Sequence, residues 1–427
     1  VGRKKLLKII PMTQVRFLNQ CRACGHPKLK KFLNLPAMPL TDDFIPREKF
    51  NQEFRHDIDV FLCEHCLTAQ TQHNVDMGDY YEDYQYAVGG SQTASHFMRL
   101  LAGNLISKYY GGQKGKKILE VGSGDGVQLL AFKELGCEVL GYEPSSSLTR
   151  AAEGRGIPTI QGLFTPDSAR QLPEAFRRAD VVMLSYTFDH LPQPREFIAT
   201  ARSILNPDTG LLVVEVHDLQ KIFERQEYCL FEHEHSIYLT TATASALCAR
   251  EGMTVVDFDL VPGADRRANS LIFVATPAGS QLAKKFPAAK SSVPAEFNEF
   301  AFYEQQSRLI QRGIANLDAF VNRVTAGGKS IAGYGAGGRG VMTLGAMTAA
   351  SKLRYLVDKK PKRAGLVVPK SGIPLVGLSA LKESPVDEIL VFSFGYLKEI
   401  QAELAPFGYQ PRQFHSLLDV LAGKAVV

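Results

Sequence analysis

Ile118-Leu119-Glu120-Val121-Gly122-Ser123-Gly124-Asp125-Gly126 runs an apolar strand into a glycine-rich turn, and a helix-compatible stretch opens at Val127. Glycines allow the tight turn and let a ligand reach the backbone where a Cβ would block it. A glycine loop alone is weak evidence. It is strengthened by Glu120 at the strand end and by Glu143 in Gly141-Tyr142-Glu143-Pro144-Ser145, at the end of the next apolar run. A carboxylate in that second place can accept hydrogen bonds from both ribose hydroxyls of an adenosine cofactor.

Outward from this loop, short β-rich runs alternate with helix-compatible stretches: Lys117 to Val121, Glu138 to Tyr142, Asp180 to Ser185, Leu211 to Val216, Thr254 to Leu260 and Ser270 to Ala275. Such alternation predicts an α/β fold with a largely parallel sheet covered by helices on both faces. Beyond a polar, proline-bearing stretch from Ala278 to Pro294, Ile310, Ile314, Leu317, Val321 and Val324 recur at helical spacing. A second α/β pattern follows, with strands expected at Ser330 to Gly333, Leu353 to Val357 and Glu388 to Phe392. The expected bodies are a small N-terminal module at 16–75, a cofactor-binding domain at 76–280, a helical connector at 281–326 and a second Rossmann-like domain at 327–427.

The N-terminal segment carries Cys21-x-x-Cys24 and Cys63-x-x-Cys66, separated by 38 residues, among prolines and short apolar runs. Two such knuckles can meet around one tetrahedral Zn²⁺, and four thiolates leave no open position, which favours a structural ion over a catalytic one. His26 and His65, beside the pairs, are then expected as surface residues. Seven cysteines in this arrangement suit metal better than disulfides and point to a reducing cytoplasm. Basic residues Val1 to Pro11 ahead of Met12 read as a leader or short targeting segment, outside the fold.

Length and composition bound the function. At 427 residues, with 45% hydrophobic and 22% charged residues, the chain has the profile of a folded multidomain enzyme. The net charge of +5 is mild, no basic and aromatic patch marks residues 16–75, and no apolar run reaches membrane length. Neither a nucleic-acid nor a membrane partner is expected. No motif specifies an oligomeric state.

The Glu-x-Gly-x-Gly-x-Gly form and Glu143 resemble the class I S-adenosylmethionine-dependent methyltransferases across about residues 95 to 276. That resemblance implies S-adenosylmethionine as cofactor, held by Glu120, Gly122, Ser123, Gly124, Gly126 and Glu143. NAD is the rival reading. Asp167 is left as a helix cap rather than an adenine contact.

Glu232-His233-Glu234-His235-Ser236-Ile237-Tyr238 places two histidines and two carboxylates in four positions. In isolation it reads equally as zinc ligands or a polar turn, and no further metal-like cluster lies near it in sequence. The cysteine pairs, the first glycine loop, His233-Glu234-His235-x-x-Tyr238 and a second glycine loop, in that order, are similar to the three-domain sugar C-methyltransferases of deoxysugar biosynthesis. The similarity spans nearly all of residues 16 to 422. It implies methylation of a nucleotide-linked 4-keto-deoxysugar, dTDP-linked in the family, at the carbon beside the ketone. His235 matches the general base, Glu234 a group that orients the imidazole or binds a sugar hydroxyl, His190 a second active-site histidine and Tyr86 an active-site tyrosine. Tyr84 fits nearly as well as Tyr86 by spacing. Glu232 departs from the family, which has an aromatic residue there.

The second loop, Gly333-Tyr334-Gly335-Ala336-Gly337-Gly338-Arg339-Gly340, with Asp358 at the next strand end, has a dinucleotide pattern. The resemblance instead implies contact with the sugar nucleotide or closure of the cleft, and Arg339 stands where the family has lysine. O- or N-methylation of another small metabolite, and a zinc-dependent nucleic-acid-binding or modifying protein, are the competing functions.

Overall fold

The computed structural model describes residues 14–76, 92–266, 268–359 and 365–425. The leader residues, Tyr84 and Tyr86 lie outside them.

Seven strands form the central sheet. From one edge the order is Thr159–Gln161, Glu138–Glu143, Lys117–Val121, Val181–Ser185, Leu211–His217, Ser270–Pro277 and Met253–Asp257. The first five are mutually parallel, and the Ser270–Pro277 strand runs against both of its neighbours. The order reverses at Lys117–Val121, so a crevice opens at the carboxyl end of the strand that carries the glycine loop. The interior strands are continuous apolar runs because both faces are covered. Two expected strands are shorter than their apolar runs. The one expected to reach Leu260 stops at Asp257, whose Oδ1 accepts the Asp259 N–H at 2.8 Å and turns the chain. The one expected from Leu353 begins at Leu356, after a tight turn at Ala350–Lys352.

The N-terminal segment folds as a sheet rather than as knuckles alone. Leu29–Met38, His56–Cys63 and Ala69–Thr71 pair antiparallel, and the edge is completed by Ile237–Tyr238 from beyond the histidine-rich loop. That strand fixes the loop against the cysteine module. The C-terminal segment is a parallel five-stranded sheet, ordered Leu375–Val376, Leu356–Val357, Ile331–Tyr334, Glu388–Val391, Phe414–Ser416.

The Phe300–Ala326 helix buries Ile310, Ile314, Leu317, Val321 and Val324, the stripe read from spacing. Its core is shared with Leu33 and Leu35 of the cysteine module and Val341 and Leu344 of the C-terminal segment. The helix thus binds the two outer sheets together by common apolar burial.

Candidate functional site

The four module thiols converge, with Cys21 Sγ to Cys66 Sγ and Cys24 Sγ to Cys63 Sγ both 3.6 Å and all four within 4.8 Å of one another. Tetrahedral Zn–S bonds of about 2.3 Å place sulfurs about 3.8 Å apart, so the set fits that ion. The knuckle backbone is shaped for it: Gly25 and Leu67 both take positive φ, and the Gly25 and Leu67 amides return to the carbonyls of Cys21 and Cys63. His26 and His65 stack on each other at the rim, centroids 5.0 Å apart, outside the thiol set.

The glycine loop is equally specific. Gly122, Gly124 and Gly126 all have positive φ. A Cβ on Gly122 would strike Thr187 Oγ1 at 2.3 Å, whereas Gly124 has nothing within 4 Å of that position, leaving one face open to a ligand. Glu143 accepts the Gly124 N–H at 2.9 Å and the Ser145 N–H at 2.8 Å, so it both shapes the turn and keeps lone pairs for a hydroxyl. Glu120 Oε2 and Ser123 Oγ are buried without a hydrogen-bond partner among the described residues. An adenosine-bearing cation suits this polar, acidic cradle. Burial raises the Glu120 carboxyl well above its usual range, an effect enlarged by Glu143 and Asp125. Asp167 does not cap its helix: Thr165 does, and Asp167 sits in the first turn paired with Arg170.

The histidine-rich loop lies beside that crevice. His235 is buried, and its Nδ1 stands 2.8 Å from the Leu230 carbonyl, so that nitrogen must donate and Nε2 carries the lone pair. It is Leu230 that orients the imidazole. Glu234 turns instead toward the cysteine module, where its Oε1 accepts from Thr41 Oγ1 at 2.8 Å and from the Thr41 N–H at 3.2 Å.

Nε2 of His235 faces Glu232 Oε2 at 3.7 Å and Asp189 Oδ2 at 3.9 Å. Burial opposes charge on this ring, but the two carboxylates outweigh it and hold its pKa above the ordinary imidazole value. Burial pushes the Glu232 carboxyl up to about 8. Asp189 behaves oppositely: burial works against its charge, yet His235 and His217 keep it well below the usual carboxylate range. His190 packs edge-on to His235, centroids 4.8 Å apart, and burial brings its pKa down to about 4.

Asp189 and His217 were not singled out from sequence. His217 Nδ1 lies 2.8 Å from Asp189 Oδ2, across 28 positions of chain. The available signal was positional: His217 ends one parallel strand and Asp189 lies just beyond the carboxyl end of another, where this architecture gathers its chemistry. The expected absence of a further metal-like cluster is also corrected. Folding brings Asp189, His217 and His235 together, and separately His56, His73 and His233, because these side chains come from distant segments.

Three family models match in succession: a zinc binding domain at residues 21–81, a methyltransferase domain at 94–258 and a C-methyltransferase C-terminal domain at 283–416. The chain is a three-domain C-methyltransferase. This C-methyltransferase depends on S-adenosylmethionine and carries its Cys₄ cluster in the zinc-binding domain. It is similar to the C-methyltransferase NovU of Streptomyces niveus, 26% identical over 392 residues that cover 90% of this chain and 92% of NovU. It is also similar to a ubiquinone biosynthesis O-methyltransferase of Haemophilus ducreyi, 27% identical over 162 residues, 35% of this chain and 69% of that enzyme. Among solved structures, the CcbJ methyltransferase of Streptomyces caelestis is 16% identical, covering 48% of this chain and 96% of its own, with a TM-score of 0.34. Among the described residues no helix is long and apolar enough to cross a membrane.

Proposed function

We propose that this C-methyltransferase methylates a nucleotide-linked 4-keto-deoxysugar at the carbon alpha to the ketone, with His235 as general base. The carrying observation is the fixed tautomer of His235, whose Nε2 lone pair lies between the Glu232 carboxyl and the Asp189 carboxylate while Nδ1 is tied to Leu230. A proton beside a ketone is acidic enough for a positioned imidazole, and Nε2 takes it as the C–H electron pair becomes the enolate. The imidazolium so formed is stabilised by Asp189, itself held by His217. Bound S-adenosylmethionine supplies the electrophilic methyl group that the enolate carbon accepts.

Glu232 takes the place of an aromatic residue in the family. With its pKa raised to about 8, its carboxyl is largely protonated at neutral pH and can donate to the enolate oxygen, as a phenol would. Glu234, fixed by Thr41, is suited to a sugar hydroxyl. The likeness to NovU supports carbon as the acceptor, and the sugar nucleotide rests on the resemblance and on the C-terminal glycine loop, which closes on this site. A Cβ on Gly338 would stand 3.2 Å from Glu232 Oε1.

The test is His235→Ala, assayed with S-adenosylmethionine and nucleotide-linked 4-keto sugars. Both ligands should bind, while turnover falls by about a hundredfold to ten-thousandfold, the usual loss on removing a general base. Near-normal turnover would remove His235 from that role and move attention to Glu232, Glu234 and His190.

A further inference from the structure

His56, His73 and His233 form a second cluster outside the reacting crevice, with one ring nitrogen from each within 4.8 Å of the others. His56 opens one strand of the cysteine module and His73 opens the Val75 strand, while His233 comes from the loop that carries His235. The tautomers are fixed from behind. His233 Nε2 donates to the Met38 carbonyl at 2.9 Å and His56 Nδ1 donates to the Asp57 carbonyl at 2.7 Å. Carbonyls only accept, so His233 Nδ1 and His56 Nε2 are left with lone pairs. His73 Nε2 lies 2.9 Å from His233 Nδ1, and moving its proton to the other ring nitrogen presents a third lone pair.

Histidines that bind metals characteristically donate their other N–H to a carbonyl or carboxylate, which is the arrangement found behind two of these three rings. Phe54 walls the cluster, its ring edge-on to His233 at 5.2 Å and stacked with His56 at 6.4 Å. His73 and His233 are buried, and His56 is half-buried, which gives an ion a way in.

We propose that His56, His73 and His233 form a second, all-imidazole site for a divalent late first-row metal ion, Zn²⁺ foremost, separate from the four-thiol site. Three neutral imidazoles suit zinc, copper, nickel or cobalt and leave a position for water. Two ligands belong to the cysteine module and the third stands two residues before His235. The ion therefore clamps the catalytic loop to the module.

Metal content of the full-length protein, purified without chelator and then saturated with Zn²⁺ or Co²⁺, tests the site. Two ions per chain are expected. With Co²⁺, only the thiol site gives sulfur-to-cobalt charge-transfer bands, so the second ion is recognised by visible bands without them. His56→Gln, at a half-buried position that tolerates the change, and His73→Gln should each reduce the content to one ion and leave the thiolate bands intact. Saturation of the wild type at one ion, or two ions retained in both variants, overturns the proposal.

Discussion

His235 and Glu232 share a buried space in which each sets the other's protonation. In its proposed role as base His235 must be neutral, and its pKa lies above the ordinary imidazole value, so activity should rise with pH through a limb above that value. Glu232 must keep its proton, so activity should fall as pH passes about 8. Glu232→Gln retains a donor that does not titrate. It should abolish the alkaline limb and leave the acid limb in place, because a protonated Glu232 carries no charge to remove from beside His235. An alkaline limb unchanged in the variant contradicts the donor role. At the cofactor loop, Glu143→Ala should weaken S-adenosylmethionine binding by about 1.5 to 3 kcal/mol, the worth of a charge-assisted hydrogen bond. Calorimetry showing unchanged affinity would take Glu143 out of the ribose role. Glu120, Glu143 and His235 stand out in the sequence as candidates because each sits in a patterned stretch. Asp189 and His217 were not, because a single carboxylate and a single imidazole far apart in sequence carry no pattern until strands bring their ends together.

Single elements join bodies that their sequences present as separate. Arg22, between the first two cysteines, is buried and donates to the carbonyls of Thr71 and His73 in its own module and of Pro192 beside the Phe188–His190 turn. Thr71 N–H reaches the Ser236 carbonyl at 3.1 Å, and Ser236 N–H reaches that of Asp189 at 2.7 Å. The thiol cluster therefore bears on the catalytic loop more directly than on the glycine loop. Cys63→Ser should loosen the cysteine module, seen as faster amide exchange in the His56–Cys63 and Ala69–Thr71 strands, and lower turnover while S-adenosylmethionine affinity holds. Loss of cofactor affinity in step with the exchange would contradict this division. The knuckles were visible from spacing alone. The Ile237–Tyr238 edge strand was not, since two residues are too few to show an alternating period and only the partner sheet makes them a strand.

Across the whole molecule, the three segments meet at one carboxylate pair. Glu234 is held by Thr41 of the cysteine module, and Glu232 lies under Gly338, where the C-terminal helix Gly338–Ala346 begins. Two glycines of that second loop are required by packing: a Cβ on Gly335 would strike Ser393 Oγ at 2.3 Å, and one on Gly340 the Gly335 carbonyl at 2.3 Å. The α/β class of both sheets followed from strand and helix alternation, but their convergence did not, because contacts between segments leave no periodic trace in either. In the proposed reaction, the site so enclosed removes a proton from carbon and holds the resulting enolate. Incubation with methyl-labelled S-adenosylmethionine and a dTDP-linked 4-keto-deoxysugar, followed by NMR of the product, asks whether that is what it does. The label should appear as one methyl group bonded to the carbon beside the ketone. A label on oxygen or nitrogen, or no transfer to any nucleotide-linked keto sugar, would contradict the account.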